Sequence, residues 1–296
     1  MNVGVAGLGN MGTAIAERLI ETGNKVTVWN RSAEKCNPLI ALGATAASSA
    51  AALAGAADTI ITILTDPAAI DAVYGRPNGL LAGDVNGRLF VEMSTVAPHV
   101  EMALASKVRA AGATFVECPV GGSTGPARQG KLIGLMGAEP AAAVRAKPLL
   151  DRLCRRLEHC GPVGSGATMK LAINLPLMVY WQALGEALAL CRHLGLDPGR
   201  VIELMSDTSG GPNVLKVRAP ALVNLLRGED PGPATFTLDN GIKDLRTMLA
   251  EGARCGVELP LVADTLACFE EASRHGLGTG EGAAMSVYWS TRAANK

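Results

Sequence analysis

The sequence is poor in aromatic residues and has no excess of either charge. Only 3% of its 296 residues are aromatic, and 27 basic side chains balance 27 acidic ones. A balanced chain offers no basic surface for nucleic acid and no charge that draws a protein to an anionic membrane, so we expect neither partner. With so few aromatic rings, Ala, Leu, Val and Ile must fill the interior.

Long apolar runs and paired cysteines are also missing. No stretch reaches the roughly 18 uninterrupted apolar residues of a membrane span. The seven cysteines are scattered and include no C-x-x-C pair, which is typical of reduced thiols in a cytoplasmic protein. The four histidines are dispersed without metal-ligand spacing, so no metal site is expected.

What the first half contains is an alternation of short apolar stretches with longer helical ones. The apolar stretches do not alternate internally with polar residues, which is typical of strands buried on both faces of a parallel sheet. The pattern therefore predicts repeated strand-helix-strand units in a doubly wound α/β sheet. Strands are predicted at residues 2–7, 25–30, 58–65, 88–94, 114–120 and 131–137.

The second half has a different character, because no convincing strand follows Gly164. Long helical patterns cover residues 167–195, 198–209, 212–228, 240–256 and 259–276. The glycine-rich segment 161–166 is interpreted as the junction between the halves. We therefore predict a doubly wound α/β domain with a parallel sheet at 1–163 and an all-α domain at 164–296.

A glycine-rich turn near the start gives the first functional signal. Its G-x-G-x-x-G pattern, between a predicted strand and a predicted helix, consists of Gly7, Leu8, Gly9, Asn10, Met11 and Gly12. In this context Gly7 allows the tight turn, Gly9 lets a pyrophosphate approach the backbone, and Gly12 lets the helix pack closely. The start of the helix adds backbone N–H groups and a positive dipole end for the phosphates.

The end of the second predicted strand bears on which dinucleotide binds. A site for NAD(H) usually has Asp or Glu there, on the ribose 2′-hydroxyl. This sequence instead has Asn30, Arg31 and Ser32. Arg31 can pair with a 2′-phosphate and its neighbours can donate hydrogen bonds, so the residues favour NADP(H) and leave NAD(H) as the alternative. A solvated loop arginine is the other interpretation of Arg31.

Three segments together resemble the β-hydroxyacid dehydrogenase family, which includes 3-hydroxyisobutyrate dehydrogenase and glyoxylate/succinic semialdehyde reductase. They are the turn at 7–12, the segment FVECPVGGS at 115–123, and GSGATMK at 164–170 followed by Asn174. They occur in the family's order and span nearly the whole chain. Residues 28–36 and 64–69 are similar to the glyoxylate/succinic semialdehyde reductase branch, which resembles NADPH enzymes.

The resemblance implies that residues 1–163 form a Rossmann-type domain that binds the dinucleotide (NADP). It implies that the all-α domain at 164–296 serves substrate binding and oligomerisation. It also implies a reaction and roles for individual residues. A small aldehyde or keto acid and its hydroxy acid would be interconverted, with Lys170 as general acid/base and Asn174 orienting the substrate. As an ammonium, a lysine can stabilise the developing alkoxide and give up a proton. The substrate carboxylate would be held by the loop Gly121, Gly122 and Ser123. Further cofactor contacts are implied for Leu64, Thr65, Thr95 and Lys243.

One position departs from the family pattern. The family loop typically reads P-V-S-G-G, whereas this chain has P-V-G-G-S at 119–123, so Gly121 stands at the serine position. Backbone N–H groups can still bind an anion there. The departure therefore bears on which acid is accepted, among glyoxylate, succinic semialdehyde and 3-hydroxyisobutyrate types.

Two other functions are left open by the residues. An imine reductase of similar fold usually replaces the catalytic lysine, and an interaction module that binds a dinucleotide without catalysis also loses it, so Lys170 disfavours both. Lys243 has an alternative too, as a helix-surface lysine paired with Asp244. The apolar helical surface at 175–190 and the resemblance together predict a homodimer or homotetramer.

Overall fold

The computed structural model describes residues 1–208 and 210–292 of the chain. They form two compact units, one spanning Met1–Leu171 and the other beginning at Ala172. The predicted fold class is confirmed, because the first unit carries a sheet covered by helices and the second is built from helices. Ser209 and residues 293–296, which the predicted C-terminal domain includes, lie outside the described residues.

The first unit is organised around a single sheet. In chain order its strands are β1 (Asn2–Ala6), β2 (Lys25–Trp29), β3 (Thr45–Ala46), β4 (Thr59–Thr62), β5 (Leu89–Glu92), β6 (Thr114–Glu117), β7 (Val120–Gly121), β8 (Leu132–Gly137) and β9 (Cys154–Gly161). Strands β3, β2, β1, β4, β5 and β6 lie side by side in that order and run parallel. Their carboxyl ends therefore meet at one edge, where sheets of this class bind ligands.

Helices cover both faces of this sheet. They are α1 (Asn10–Glu21), α2 (Asn37–Ala41), α3 (Ala50–Ala56), α4 (Pro67–Gly75), α5 (Pro98–Ala110), α6 (Thr124–Arg128), α7 (Pro140–Leu150) and the start of α8 (Ser165–Cys191). On one face, Phe90 and Phe115 share a core with residues of α3, α4 and α5. On the other, Val91 and Val116 share a core with residues of α1, α2 and α7. Burial on both faces explains the uninterrupted apolar stretches of the strands.

The far end of the sheet departs from the all-parallel prediction. Strand β8 runs antiparallel to β6 and β7, and β9 pairs with β8 in parallel. Between Gly121 and Leu132 the chain makes only the short helix α6, whereas a parallel return needs a longer crossover. The sequence pattern does not predict α7 or β9; β9 reads CRRLEHCG and is mostly exposed, so it lacks an apolar run.

The second unit consists of helices whose ends carry the usual signals. After α8 they are α9 (Pro198–Ser206), α10 (Asn213–Arg227), α11 (Leu238–Cys255), α12 (Pro260–Ala272) and α13 (Ala284–Arg292). The side chains of Asp197 and Thr237 cap the starts of α9 and α11. Helix α13 is not predicted by the sequence, because Ser286 and Ser290 occupy buried positions where an apolar residue would mark the pattern.

Two whole-chain properties complete the fold. All seven cysteines carry free thiols. Within residues 1–208 and 210–292, no helix combines the length and the apolar character that crossing a membrane requires.

Candidate active site

The glycine-rich turn leaves β1 and leads directly into α1. Gly7 adopts a φ of +95°, and a Cβ there would lie 2.3 Å from the backbone oxygen of Ile63. A Cβ on Gly12 would lie 1.9 Å from the backbone oxygen of Gly7. The turn itself therefore requires glycine at both positions.

Gly9 differs, because the packing of the chain does not require its missing side chain. In the described part of the chain, a Cβ at Gly9 would find no atom within 4 Å. Gly9 is the exposed residue preceding α1, and as a glycine it brings no side chain of its own to cap that helix. Backbone N–H groups point outward from the start of a helix. The open space beside them fits the phosphates of a dinucleotide.

One side chain holds the segment after β2 against this turn. The side-chain oxygen of Asn30 accepts a hydrogen bond from the backbone N–H of Leu8 at 3.0 Å. Its amide group donates to the backbone oxygen of Ser32 at 3.0 Å. Asn30 therefore couples the two segments, while Arg31 between them is exposed.

A row of polar side chains crosses the carboxyl edge of the sheet. Thr62, Glu92 and Glu117 end β4, β5 and β6 and are paired in register. All three are fully buried. Residues two positions apart in a strand share a face. The row therefore lies on the same side as Phe90 and Phe115, under the helices α3, α4 and α5.

Glu92 links the loops that follow β4 and β5, for which the resemblance implies contacts with the cofactor. One carboxylate oxygen accepts from the backbone N–H of Ser94 at 2.7 Å, and the other accepts from the hydroxyl of Thr62. The hydroxyl oxygen of Ser94 accepts in turn from the backbone N–H of Leu64 at 2.7 Å. Burial raises the pKa of Glu92. Thr95 follows directly and is half-buried.

Thr65, the other predicted contact on the β4 loop, is exposed. Its hydroxyl donates to Asp66 at 3.2 Å, and Asp66 accepts from the backbone N–H of Ala69 at 2.7 Å to cap α4. The helix signal at Asp66 therefore fixes the loop directly beyond Leu64 and Thr65.

Glu117 is bound to the start of α8. Its Oε1 accepts from the backbone N–H of Gly164 at 2.8 Å, of Gly166 at 2.7 Å and of Ala167 at 3.4 Å. These are the donors that the start of a helix leaves without internal acceptors. A single carboxylate at the end of β6 thus satisfies the first turn of the helix that carries Lys170.

Burial shifts the proton equilibria of this row. It raises the pKa of Glu117 to about 7, although the three N–H groups lower it, and the charge on Glu92 adds a smaller rise. Glu101 on α5 is also buried, and within the described residues neither of its carboxyl oxygens has a hydrogen-bond partner. Burial, with the charges of Glu92 and Glu117, raises the pKa of Glu101 well above its usual range. Burial thus disfavours the charged form of Glu101.

The predicted substrate loop follows Glu117 by a few residues. Gly121 pairs with Ile133 across β7 and β8, and a Cβ on Gly121 would make an ordinary contact of 3.7 Å with that residue. Gly122 has a φ of +121°, and a Cβ there would lie 2.9 Å from the side chain of Leu132. Ser123 then precedes α6. Gly122 is thus required by the backbone, whereas Gly121 has room for a side chain.

Lys170 and Asn174 both lie on α8. Lys170 is half-buried, and Asn174 is 5% exposed. A spacing of four residues places them on one face of the helix. The contact boundary at 171/172 runs between them, so Lys170 belongs to the first unit and Asn174 to the second.

In the second unit, Asn174 is held by a buried carboxylate. Its amide nitrogen donates to Asp244 Oδ2 at 2.8 Å, and Asp244 is 1% exposed. The ammonium of Lys243 lies 2.8 Å from Asp244 Oδ1. The structure therefore brings Asn174, Asp244 and Lys243 together, and Lys243 makes the pairing that the sequence offered as its alternative.

Sequence reasoning missed Glu92, Glu117 and Asp244. The strands carry a signal for the first two, since Phe-Val-Glu occurs at 90–92 and again at 115–117. A glutamate that ends a buried parallel strand is unusual, because charged side chains are almost never fully buried without partners. Asp244 offered no comparable signal, since its helix α11 also carries charges on its exposed side.

No metal centre is indicated in residues 1–208 and 210–292, where no three His, Cys, Asp or Glu side chains are grouped to hold an ion.

Comparison with known proteins then decides the family. A model of the NAD binding domain of 6-phosphogluconate dehydrogenase matches residues 2–161. A model for the NAD-binding of NADP-dependent 3-hydroxyisobutyrate dehydrogenase matches residues 164–289. Glyoxylate/succinic semialdehyde reductase 1 of Arabidopsis thaliana is 33% identical over 278 residues, which are 94% of each chain. The chain belongs to the β-hydroxyacid dehydrogenase family.

Solved structures agree with this assignment. Psf3 in complex with NADP+ and 2-OPP has a TM-score of 0.86 and 27% identity, covering 97% of this chain and 99% of that one. The imine reductase from Myxococcus stipitatus (V8 variant, with NAD+) has a TM-score of 0.64 and 18% identity, covering 97% and 98%, a likeness that shows the fold alone. The predicted family and the predicted NAD(P)-dependent hydroxyacid dehydrogenase are confirmed. The dinucleotide preference and the roles of individual residues stay predictions.

Proposed function

We propose that this β-hydroxyacid dehydrogenase is an NADP(H)-dependent reductase of a small aldehyde or keto acid, with Lys170 as its general acid/base. The observation that carries the proposal is where α8 begins. Its first turn is bound to Glu117 at the carboxyl edge of the sheet, and β1 opens into the glycine-rich turn at that same edge. The helix that bears the lysine therefore starts on the side of the sheet that fits a dinucleotide.

The residues of the chain supply binding, orientation and a proton. A bound nicotinamide dinucleotide would supply the hydride. The ammonium of Lys170 stabilises negative charge on the carbonyl oxygen of the substrate and donates its proton there. In the oxidative direction the neutral amine accepts the proton of the hydroxyl group. Asn174 has its amide nitrogen bound to Asp244, which directs its side-chain oxygen as an acceptor for the substrate.

The preference for NADP(H) rests on the segment after β2. Arg31 is exposed there, between Asn30 and Ser32, and no carboxylate of that segment opposes a 2′-phosphate. We propose that Arg31 pairs with this phosphate.

Replacement of Arg31 tests the preference directly. Arg31→Ala should weaken NADPH binding about 10- to 100-fold, the loss expected for hydrogen bonds to a charged group, and NADH binding less than about threefold. Lys35→Ala is the matched control, since Lys35 is an exposed cation four residues further along. Equal losses for the two dinucleotides, measured by fluorescence titration, would mean that Arg31 does not contact the 2′-phosphate.

The substrate proposal follows from the resemblance and the loop. Its carboxylate would be held near Gly122 and Ser123, and the proposed substrates are glyoxylate, succinic semialdehyde and the semialdehyde related to 3-hydroxyisobutyrate. The test is turnover of each acid with NADPH and with NADH. We expect the protein to reduce at least one of these aldehyde acids and to do so faster with NADPH than with NADH. NADPH binding without turnover of any of them would instead favour a non-catalytic module.

An imine reductase is the second enzymatic candidate, and the shared fold alone favours it. The presence of Lys170 weighs against it, because imine reductases of this scaffold usually carry another residue at that position. Activity on a cyclic imine that exceeds activity on every aldehyde acid would reverse the order of the two proposals.

We also propose that the enzyme is a homodimer or homotetramer and that it is located in the cytoplasm.

A further inference from the structure

We propose that Glu117 is a positioning residue for catalysis, which fixes the place of Lys170 by holding the first turn of α8. The proposal rests on the function proposed above for Lys170. It concerns a buried carboxylate that touches neither of the predicted ligand loops at 7–12 and 121–123 in the contacts that the structure shows.

Glu117 binds the start of α8 through one carboxylate oxygen. One oxygen atom, Oε1, receives three backbone N–H groups, two of them at 2.8 Å and 2.7 Å. Water does not reach the group, because Glu117 is 0% exposed. Above pH 7, where this carboxyl group is ionised, it also meets the positive end of the helix dipole, and charge-assisted hydrogen bonds are the strong ones.

Glycines on both sides make room for this contact. A Cβ on Gly137, the cross-strand neighbour of Glu117, would lie 2.0 Å from Oε1. A Cβ on Gly166 would lie 2.2 Å from the backbone oxygen of Leu135 and 3.1 Å from Oε1. Gly164 has a φ of +102°. The glycines before Lys170, which the sequence suggests as a junction, are therefore packed against the sheet and bound to the carboxylate.

The arrangement sets the position of the next turn. Lys170 lies three residues after Ala167, the last residue bound by Glu117, on a helix whose rise and rotation per residue are fixed. A shift of the first turn is therefore passed on to the lysine. A displacement of about 1 Å from productive geometry can cost on the order of 100-fold in rate.

The charge and the length of the side chain can be tested separately. In Glu117→Gln the acceptor is neutral and weaker. The amide group would also place a buried donor where Oε2 has no hydrogen-bond partner among the described residues. Glu117→Asp keeps the charge but withdraws it by one methylene. Glu101→Gln is the matched control, because Glu101 is a buried glutamate of the same unit that does not contact α8 in the hydrogen bonds shown.

The experiment compares these full-length variants and Lys170→Ala with the wild type. The readouts, all taken at pH 8, are kcat and KM for an aldehyde acid that the wild type reduces, the Kd of NADPH, and amide hydrogen exchange across residues 164–170. For Glu117→Gln we expect kcat to fall about 10- to 100-fold, with the Kd of NADPH within about threefold and exchange at 164, 166 and 167 at least about tenfold faster. Glu117→Asp should recover part of both losses, and Glu101→Gln should change neither.

The outcomes separate this proposal from the one on which it rests. If Lys170→Ala keeps its activity, the proposed role of the lysine fails, and hydrogen exchange alone then decides whether Glu117 holds the helix. If Lys170→Ala is inactive and Glu117→Gln keeps kcat within about threefold, the positioning proposal is overturned. A loss of kcat without faster exchange at 164–167 also overturns it. If Glu117→Gln does not fold, Glu117→Asp decides, and unchanged kcat and exchange in that variant would contradict the proposal.

Discussion

The glycine-rich turn at 7–12 and the loop at 121–123 both present glycines at the carboxyl edge of the sheet, but for different reasons. In the first, Gly7 and Gly12 are required by contacts within the chain. In the second, Gly122 is required by its φ of +121°, whereas Gly121 would make only an ordinary 3.7 Å contact if it carried a Cβ. The predicted dinucleotide turn is thus constrained by the fold, and the predicted substrate loop keeps one position at which a side chain could be added.

This difference separates positions that the fold of this chain fixes from a position that it leaves open to change. A turn whose glycines meet backbone atoms cannot vary without moving α1. A loop position with space can take a hydroxymethyl group in place of a hydrogen at small cost to the fold. We therefore expect changes at 7–12 to affect cofactor binding for every substrate, and changes at Gly121 to alter the choice among substrates.

The largest effect should come from filling the turn. Gly12→Ala places a methyl group 1.9 Å from the backbone oxygen of Gly7, so we expect a loss of about 3 kcal/mol or more in unfolding free energy and loss of dinucleotide binding. Gly9→Ala meets no atom of the described chain within 4 Å, so its Tm should stay within about 2 °C. Its NADPH affinity should still fall at least about tenfold, because Gly9 lies where a pyrophosphate approaches.

Gly55→Ala is the control for this pair. Gly55 lies in α3, is exposed, and its Cβ would also meet open space in the described structure. Its replacement should leave NADPH binding unchanged and stabilise the helix by about 0.5–1 kcal/mol. Unchanged NADPH binding by Gly9→Ala would show that the open space at Gly9 does not hold the dinucleotide.

A second effect concerns Glu117, which ends the strand from which the substrate loop departs. Burial raises its pKa from an ordinary value near 4.5 to about 7, so the native state binds this proton more tightly than the unfolded state. The resulting stability is present at low pH and is lost as the pH rises from about 4.5 to 7. Relative to Glu117→Gln, the wild type should lose about 3 kcal/mol over that window and then reach a plateau.

Denaturant unfolding of both proteins between pH 5 and pH 8 measures this difference. The groups that interact with Glu117 are Glu92, Glu101, Cys118 and Cys160. They are present in both proteins, so most of their own titration cancels in the comparison. A constant difference between wild type and Glu117→Gln would mean that Glu117 is ionised throughout the range.

The smallest effect on stability should come from adding a side chain at Gly121, where the structure leaves space. Gly121→Ser restores the hydroxyl of the family loop and should leave Tm within about 2 °C, while changing KM at least about threefold for some aldehyde acids and not for others. Gly122→Ser, its neighbour, should cost about 1–3 kcal/mol because of its positive φ. Equal changes of KM for every acid would show that Gly121 does not take part in substrate choice.

The sequence predicted the elements with regular patterns and missed those without them. The buried strands β1, β2, β4, β5, β6 and β8 and the longer helices follow from apolar runs and helical spacing. Strand β9 is exposed and charged, and α13 buries serines, so neither carries an apolar pattern. The direction of β8 follows from the short connection that precedes it, whereas an apolar run marks a strand without giving its direction.

The candidate site divides in the same way. The glycine-rich turn can be predicted from the sequence because each of its glycines has a local structural role. Lys170 can be predicted because it lies in a motif of the family. Glu117 and Asp244 act through partners 47 and 70 residues away in the chain, Gly164 and Asn174. Such pairings depend on which elements the fold places side by side, so no local pattern contains them.

The central claim is that Lys170 supplies the proton for reduction. The direct test is the single-turnover rate of an aldehyde acid with saturating NADPH, compared between the wild type and Lys170→Ala, together with the Kd of NADPH. The account predicts a rate lower by about 10²–10⁴-fold with the Kd within about threefold. A rate within about tenfold of the wild type, with the same Kd, would contradict it.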